Sequence, residues 1–171
     1  MIITKATVND IPALVPLINS AYRGEASKKG WTTEAYLIKG TIRTDIPSVT
    51  ELMQQPGAAI FTCASSSGMI TGCVFLQKQE RGLYLGMLSV SPDLQASGIG
   101  KRLLAFADQY AKELGCTAIF MSVISLRTEL IAWYGRHGYH ITDERKPFPE
   151  DDRFGVPSQP LEFLIMEKII G

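Results

Sequence analysis

The sequence predicts an α/β fold, with about seven strands in a mixed, mostly antiparallel sheet flanked by helices. Three observations carry this. Residues 83–115 read as an apolar strand (LYLGMLSV), a Gly-bearing turn and an amphipathic helix. A second apolar strand, 117–123 (TAIFMSV), follows that helix, and a strand–helix–strand connection makes parallel neighbours. Upstream, 58–64, 69–77 and 83–90 are apolar strands joined by short connections, which is the pattern of an antiparallel meander.

In chain order, residues 2–6 form a first strand. Thr7 to Asp10 make a turn able to cap a helix, with Pro12 tolerated in the first turn. Ile11, Leu14, Val15, Ile18 and Tyr22 mark the apolar face of that helix, and Gly24 ends it. Residues 24–40 are less regular. Trp31 to Glu34 reads as a helix start capped by Thr32 or Thr33, either a surface helix whose aromatics pack inward or one wall of a substrate pocket. A short helix over 48–54 closes at Pro56 and Gly57. Ser65 to Gly68 make the loop of a hairpin, and Arg81 and Gly82 turn into the central strand, which stops at Ser91 and Pro92. In the following helix Ile99, Leu103, Phe106, Ala107, Tyr110 and Leu114 recur at helical spacing, and Gly115 is its stop. After strand 117–123 come a helix over 127–137, a strand from 139 to 142, a Pro-rich loop and a last strand over 161–169. The loop, residues 143–160, is long enough to fold over a cleft or to remain a surface elaboration.

A chain of 171 residues with 46% hydrophobic and 20% charged residues suits one domain, residues 1–171, with a proper core. Lys and Arg number 17, as do Asp and Glu, so nothing in the charge balance points to nucleic acid. No apolar run approaches the roughly 20 residues of a membrane span, and the first residues lack the plan of a secretion signal. The expectation is a cytoplasmic protein without a membrane partner. Cys63, Cys73 and Cys116 lack metal-ligand spacing and sit in apolar strands, as small core residues of a reducing compartment do. Cys63 and Cys73 would face each other across the hairpin, which leaves a regulatory disulfide open.

The chemistry-bearing stretch is Gln95-Ala96-Ser97-Gly98-Ile99-Gly100, between the central strand and its helix. Small residues admit a ligand close to the backbone. The unbonded first-turn amides favour a phosphate or pyrophosphate, and Lys101 and Arg102 add charge beside them. A P-loop is excluded because it needs Gly at Gln95 and Ser or Thr at Arg102. The dinucleotide fingerprint is excluded because its third Gly would fall on Leu103.

What survives, Q/R-x-x-G-x-G/A after an apolar strand, resembles the acetyl-CoA-binding motif of the GNAT superfamily of N-acyltransferases. Downstream, LIAWYGRHGY (130–139) resembles the second signature of the same superfamily, and the order of elements fits along nearly the whole chain. The resemblance implies a sheet splayed between its fourth and fifth strands, with the pantetheine arm of acetyl-CoA in the cleft. It implies that Leu88, Ser89 and Val90 offer backbone hydrogen bonds to that arm. Gln95, Ala96, Ser97, Gly98, Ile99, Gly100 and Lys101 would cradle the pyrophosphate. Tyr134 matches the family's general acid, which gives a proton or hydrogen bond to the leaving thiolate. Arg127 stands where many relatives carry a CoA-contacting Asn, so it reaches a phosphate or an acidic substrate, or caps a surface.

The implied reaction is transfer of acetyl from acetyl-CoA to a primary amine by direct attack. The acceptor is a small molecule or a peptide N-terminus, and a homodimer is compatible with the superfamily. A non-catalytic acyl-CoA sensor or an interaction module on the same fold is the alternative. Leu83 to Val90 contain no carboxylate to serve as general base. Glu80, Glu25, Glu34 and the acidic residues Glu150 to Asp152 are candidates, each also readable as a solvated surface group; a water chain past Ser89 or Tyr84 is the other route. His137 and His140 read as helix-end and strand positions, and a protonated His137 would suit a helix C-terminus.

Overall fold

The computed structural model describes residues 2–149 and 151–171, so the candidate base Glu150 lies outside the described residues. Along the chain run β1 (Ile2–Lys5), α1 (Ile11–Tyr22), α2 (Gly24–Ser27), β2 (Ile38–Lys39), α3 (Ile46–Met53), β3 (Ala58–Ala64), β4 (Ile70–Gln79) and β5 (Gly82–Val90). There follow α4 (Ile99–Glu113), β6 (Ala118–Ile124), α5 (Thr128–Arg136), β7 (His140–Pro147), β8 (Val156–Pro157) and β9 (Glu162–Ile169). The main sheet has seven strands in the order β1-β3-β4-β5-β6-β9-β7. Its neighbours are antiparallel except for β5 and β6, which are parallel. The predicted fold class, including the splay at the fourth and fifth strands, is what the structure has.

The apolar strands of the sequence are explained by cover on both faces of the sheet. Ala59, Phe61 and Cys63 of β3 face α4, where Leu103, Ala107 and Ala111 are buried. Ile60 of the same strand, with Cys73 and Phe75 of β4, faces Leu14, Ile18 and Tyr22 of α1 and Val49 of α3. This alternation closes the option of a Cys63–Cys73 disulfide. Thr62 is registered with Cys73 and Cys63 with Gly72, so the two thiols lie on opposite faces of the sheet. All three cysteines are buried, as core residues.

Local readings hold where they rest on caps and glycines. Thr7 closes a capping box with Asp10 over the short 3-10 turn that precedes α1. Asp45 accepts from the Ser48 amide at 2.8 Å and starts α3 two residues before the expected helix. The helix expected at Trp31 to Glu34 is absent: Thr33 accepts from the Ala35 amide in a tight turn, and Tyr36 is exposed. The chain then makes a small second sheet, β2 paired with β8, that the sequence does not announce because each strand is two residues long.

The irregular segment is held by a buried ion triad. Glu34 accepts from Arg23 Nε at 3.1 Å and from Arg127 Nη1 at 3.3 Å. All three residues are buried, which corrects the expectation of a solvated Glu34. Arg23 also donates to the carbonyls of Ile42 and Phe154, and Arg127 to that of Thr32. One carboxylate thus ties the end of α1 and the start of α5 to the loops around them.

Two substitutions test these constraints. Glu34→Ala leaves two buried guanidinium groups without a counter-charge, and should cost about 3–5 kcal/mol in urea unfolding; an unmoved midpoint would show that the triad is not structural. Gly82 has φ +146, and a β-carbon there would stand 2.4 Å from the Ala118 carbonyl oxygen. Gly82→Ala should therefore cost about 2–4 kcal/mol by the same measurement, and wild-type stability would mean that β5 and β6 yield at this point.

Candidate active site

The parallel pairing of β5 and β6 is short. Leu83 is registered with Ile119 and Tyr84 with Phe120, and beyond them the strands part. A bulge then resets β5: its register against β4 shifts between Cys73 and Phe75, and Met87 takes φ +49. Before the bulge Leu83 and Leu85 face α4; after it Leu88 and Val90 do. The Leu88 carbonyl accepts from the Tyr22 hydroxyl and the Val90 carbonyl from Gln95 Nε2 at 3.0 Å. Both carbonyls therefore turn toward the gap, and since N–H and C=O of one strand residue share an edge, so do their amides. Ser89 points the other way, buried, its hydroxyl donating to the Met87 carbonyl at 3.0 Å.

At the end of β5 the chain turns into α4. Ala96 has φ +67 and Gly98 φ +92, and no side chain caps the first amides of α4. A β-carbon on Gly98 would meet nothing within 4 Å, so the turn is open to a ligand. A cavity of about 240 Å³ opens here, lined by Leu88, Val90, Gln95, Ala96, Gly98, Gly100, Lys101 and Tyr134 among others. Of the other expected cradle residues, Ser97 bonds back to the Leu94 carbonyl and Ile99 is packed in the core beneath the turn, so they offer the site backbone only. Gln95 acts as a staple rather than a free ligand. Its Oε1 accepts from the Trp31 and Thr32 amides at 2.7 and 3.2 Å, and its Nε2 also donates to Thr32 Oγ1 at 2.7 Å. Trp31, held this way, packs on Trp133 at 5.7 Å and lines the cavity. Residues 31–34 thus form no helix, yet Trp31 packs inward on Trp133 and, with Thr32, lines the cavity at the α4 turn.

Tyr134 lines this cavity and a second, narrow one of about 60 Å³ inside the gap. Burial, reinforced by Tyr22 and Tyr139, holds its phenol well above the usual tyrosine range, so it is protonated at neutral pH. Tyr22 lines both cavities too, and burial raises it likewise. The sequence marked Tyr22 only as an apolar helix residue; its hydroxyl has no sequence signal. His137 lines the first cavity, but burial and the charges of Lys101, Arg136 and Lys168 lower its pKa. The expected protonated helix-end histidine is thus disfavoured. His140 begins β7, as expected.

Arg127 is drawn into the Glu34 triad and away from the α4 turn. Among the candidate bases, Glu25 pairs with Lys28 at the surface and Glu80 is exposed on a turn. Asp151 is bound by Arg153 at 2.8 Å, and Asp152 is exposed. Tyr84 packs between Phe75 and Phe120. Among the described candidate carboxylates Glu34 alone lines the gap, with both oxygens held by guanidinium groups. On the side of the gap away from α4 lies a third cavity, of about 450 Å³, between Arg43, Met87, Ile124, Phe148, Phe154 and Phe163. No group of His, Cys, Asp and Glu able to hold a metal occurs among the described residues, and none of their helices is long and apolar enough to cross a membrane.

The pattern that defines the acetyltransferase (GNAT) family matches residues 18–139. An amino-acid acetyltransferase of Ralstonia nicotianae is 28% identical over 168 residues; the alignment takes in 96% of this chain and 32% of that protein, so the chain spans about a third of this curated relative. The crystal structure of the ribosomal-protein-S18-alanine N-acetyltransferase of Escherichia coli superposes with a TM-score of 0.73 at 16% identity, covering 99% of this chain and 94% of that one. A Bacillus anthracis structure described as a streptothricin acetyltransferase in complex with acetyl coenzyme A gives 0.58 at 20% identity, over 70% and 66%. These two share the fold. With the family pattern spanning both the gap and the α4 turn, the chain belongs to the GNAT family of acetyltransferases.

Proposed function

We propose that the protein transfers acetyl from acetyl-CoA to a primary amine that attacks the thioester directly. The observation that supports this most is Tyr134, a buried protonated phenol lining both the cavity at the α4 turn and the gap between β5 and β6. Acetyl-CoA supplies the activated acyl group; the Bacillus anthracis relative holds it, which supports the same donor here.

The residues fit that donor. The uncapped amides of α4, with Lys101, suit its pyrophosphate, and Gly98 leaves the approach open. The pantetheine arm suits the edge of β5 at Leu88 and Val90, which has no neighbouring strand there. An amide on this edge, fixed by the bulge, stabilises charge developing on the carbonyl oxygen without reorganising. Tyr134 delivers a proton or hydrogen bond to the departing sulfur. The Tyr22 hydroxyl holds the Leu88 carbonyl and so keeps the edge in place. The relatives' names put the amine on different acceptors, an amino acid in one and a ribosomal-protein alanine in another, so family membership leaves the acceptor open.

Calorimetric titration with acetyl-CoA, followed by thiol release across an amine panel, tests the reading. Gly98→Glu should weaken acetyl-CoA binding by at least about tenfold, since it places a negative charge at the cradle and a side chain at φ +92; unchanged affinity would remove the site assignment. Tyr134→Phe should lower kcat by about 100-fold or more with little change in acetyl-CoA affinity. A raised pKa keeps the phenol protonated to higher pH, so Tyr134 should cause no loss of kcat between pH 7 and about 10. A wild-type rate in Tyr134→Phe would return this tyrosine to a packing role, and binding without turnover on any amine would leave an acyl-CoA-binding protein.

A further inference from the structure

Resting on the acetyl-transfer reading, we propose that the acceptor is a free α-amino acid with an apolar or aromatic side chain, and that Arg43 selects it by pairing with its carboxylate. Arg43 and Arg127 line the gap and Arg23 and Arg43 the large cavity beside it, with one buried carboxylate, Glu34, common to both. Glu34 is consumed by Arg23 and Arg127, which also donate to backbone carbonyls. Arg43 has no such partner: among the described residues its guanidinium makes no ion pair, and its contact is with the face of the Tyr22 ring, 4.6 Å from the centroid. The nearby acids are otherwise placed. Asp45 caps α3, Asp151 is held by Arg153, and Glu51 is exposed at the rim of the large cavity.

The cation is also pre-positioned. Asn19 Oδ1, on α1, accepts from the amides of Arg43 and Thr44 at 2.7 and 2.9 Å, and Asn19 Nδ2 donates to the Thr44 carbonyl at 3.2 Å. The guanidinium fork of Arg43, whose backbone is tied to α1, matches the two oxygens of a carboxylate. Its place determines the spacing. Arg43 lines both the narrow cavity in the gap, which Tyr134 shares, and the cavity of about 450 Å³ beyond it. A carboxylate on Arg43 is therefore close to an amine at the gap, as in an α-amino acid. The third substituent then enters the large cavity, of a size ordinary for small ligands, where Met87, Ile124, Phe148, Phe154 and Phe163 supply the apolar part of a lining that also holds Thr44, Ser48, Gln55 and Asp151. The exposed Glu51 at the rim opposes a second negative charge on that substituent. In the reaction the amino nitrogen bonds to the acetyl carbon, the carbon–sulfur bond breaks, nitrogen loses a proton and sulfur gains one. The products are the N-acetyl amino acid and CoA.

The experiment compares L-phenylalanine and L-leucine with their amides and their decarboxylated amines, in the wild type, Arg43→Gln and Arg43→Lys. Calorimetry with acetyl-CoA on each variant reports whether it is folded. The wild type should favour the amino acid over its amide by about 10- to 100-fold in kcat/KM, the range for a hydrogen-bonded charge. Arg43→Gln should abolish that preference chiefly through KM, and Arg43→Lys should restore part of it. Equal or faster turnover of the amides or of the decarboxylated amines overturns the carboxylate assignment while the acetyltransferase reading stands. So does a preference that survives in Arg43→Gln. Acetyl-CoA binding without transfer to any amino acid overturns the acceptor class alone; absence of acetyl-CoA binding overturns both readings.

Discussion

A single carboxylate, Glu34, holds together the part of the molecule in which chemistry can occur. Its two oxygens take Arg23 from the end of α1 and Arg127 from the start of α5. Those guanidinium groups then reach the carbonyls of Thr32, Ile42 and Phe154. Residues between Arg23 and Ile42, Arg127 and Phe154, far apart in sequence, thus meet at one buried point beside the parted strands. Desolvating three charges is costly, and the arrangement survives because each is paired and further hydrogen-bonded. That point works with the short β2–β8 sheet, the Gln95 staple and the Asn19 bonds to Arg43 and Thr44 in holding the loops that wall the cavities of about 240 and 450 Å³.

The gap itself follows from backbone geometry. Parallel strands that pair at two positions and then separate leave an edge of amides and carbonyls which elsewhere in a sheet would be bonded. Part of that edge is satisfied internally, through Tyr22 and Gln95. The bulge at Met87 changes which side chains face α4, so that Leu88 and Val90 complete the wall of the cavity while Ser89 is buried behind them. Tyr134 stands at the junction of the cavities, where burial keeps its proton in place.

Electrostatics then separates the two ends of the site. The α4 end offers helix amides and Lys101 to an anion without burying an opposing carboxylate beside them. The far end pairs two of its three guanidinium groups internally and leaves Arg43 facing open space. An anionic donor and an anionic acceptor group would thus bind to different cations, with the phenol between them.

Local pattern was enough for much of this. The apolar runs of β3, β4, β5 and β6, the helical spacing through α4, the Gly-bearing turn and the tyrosine of α5 depend on neighbours a few residues away. They were legible for that reason, as was the parallel pair that a strand–helix–strand connection imposes. Contacts across long separations were not. Nothing near Glu34 in the chain tells that Arg127 will lie against it, so it read as a surface carboxylate. Nothing near Arg127 tells that it will turn from the α4 end to Glu34. The faces of Cys63 and Cys73 depended on register, in which one residue reverses the side. Tyr22 and Arg43 carry no motif at all. The amino-acid order thus settled the fold class and marked the Gly-bearing turn before α4 and Tyr134, because these are properties of short segments. Only folding decided which buried charges neutralise one another and which guanidinium is left over, because pairing in a low-dielectric interior is set by position in space rather than by distance along the chain.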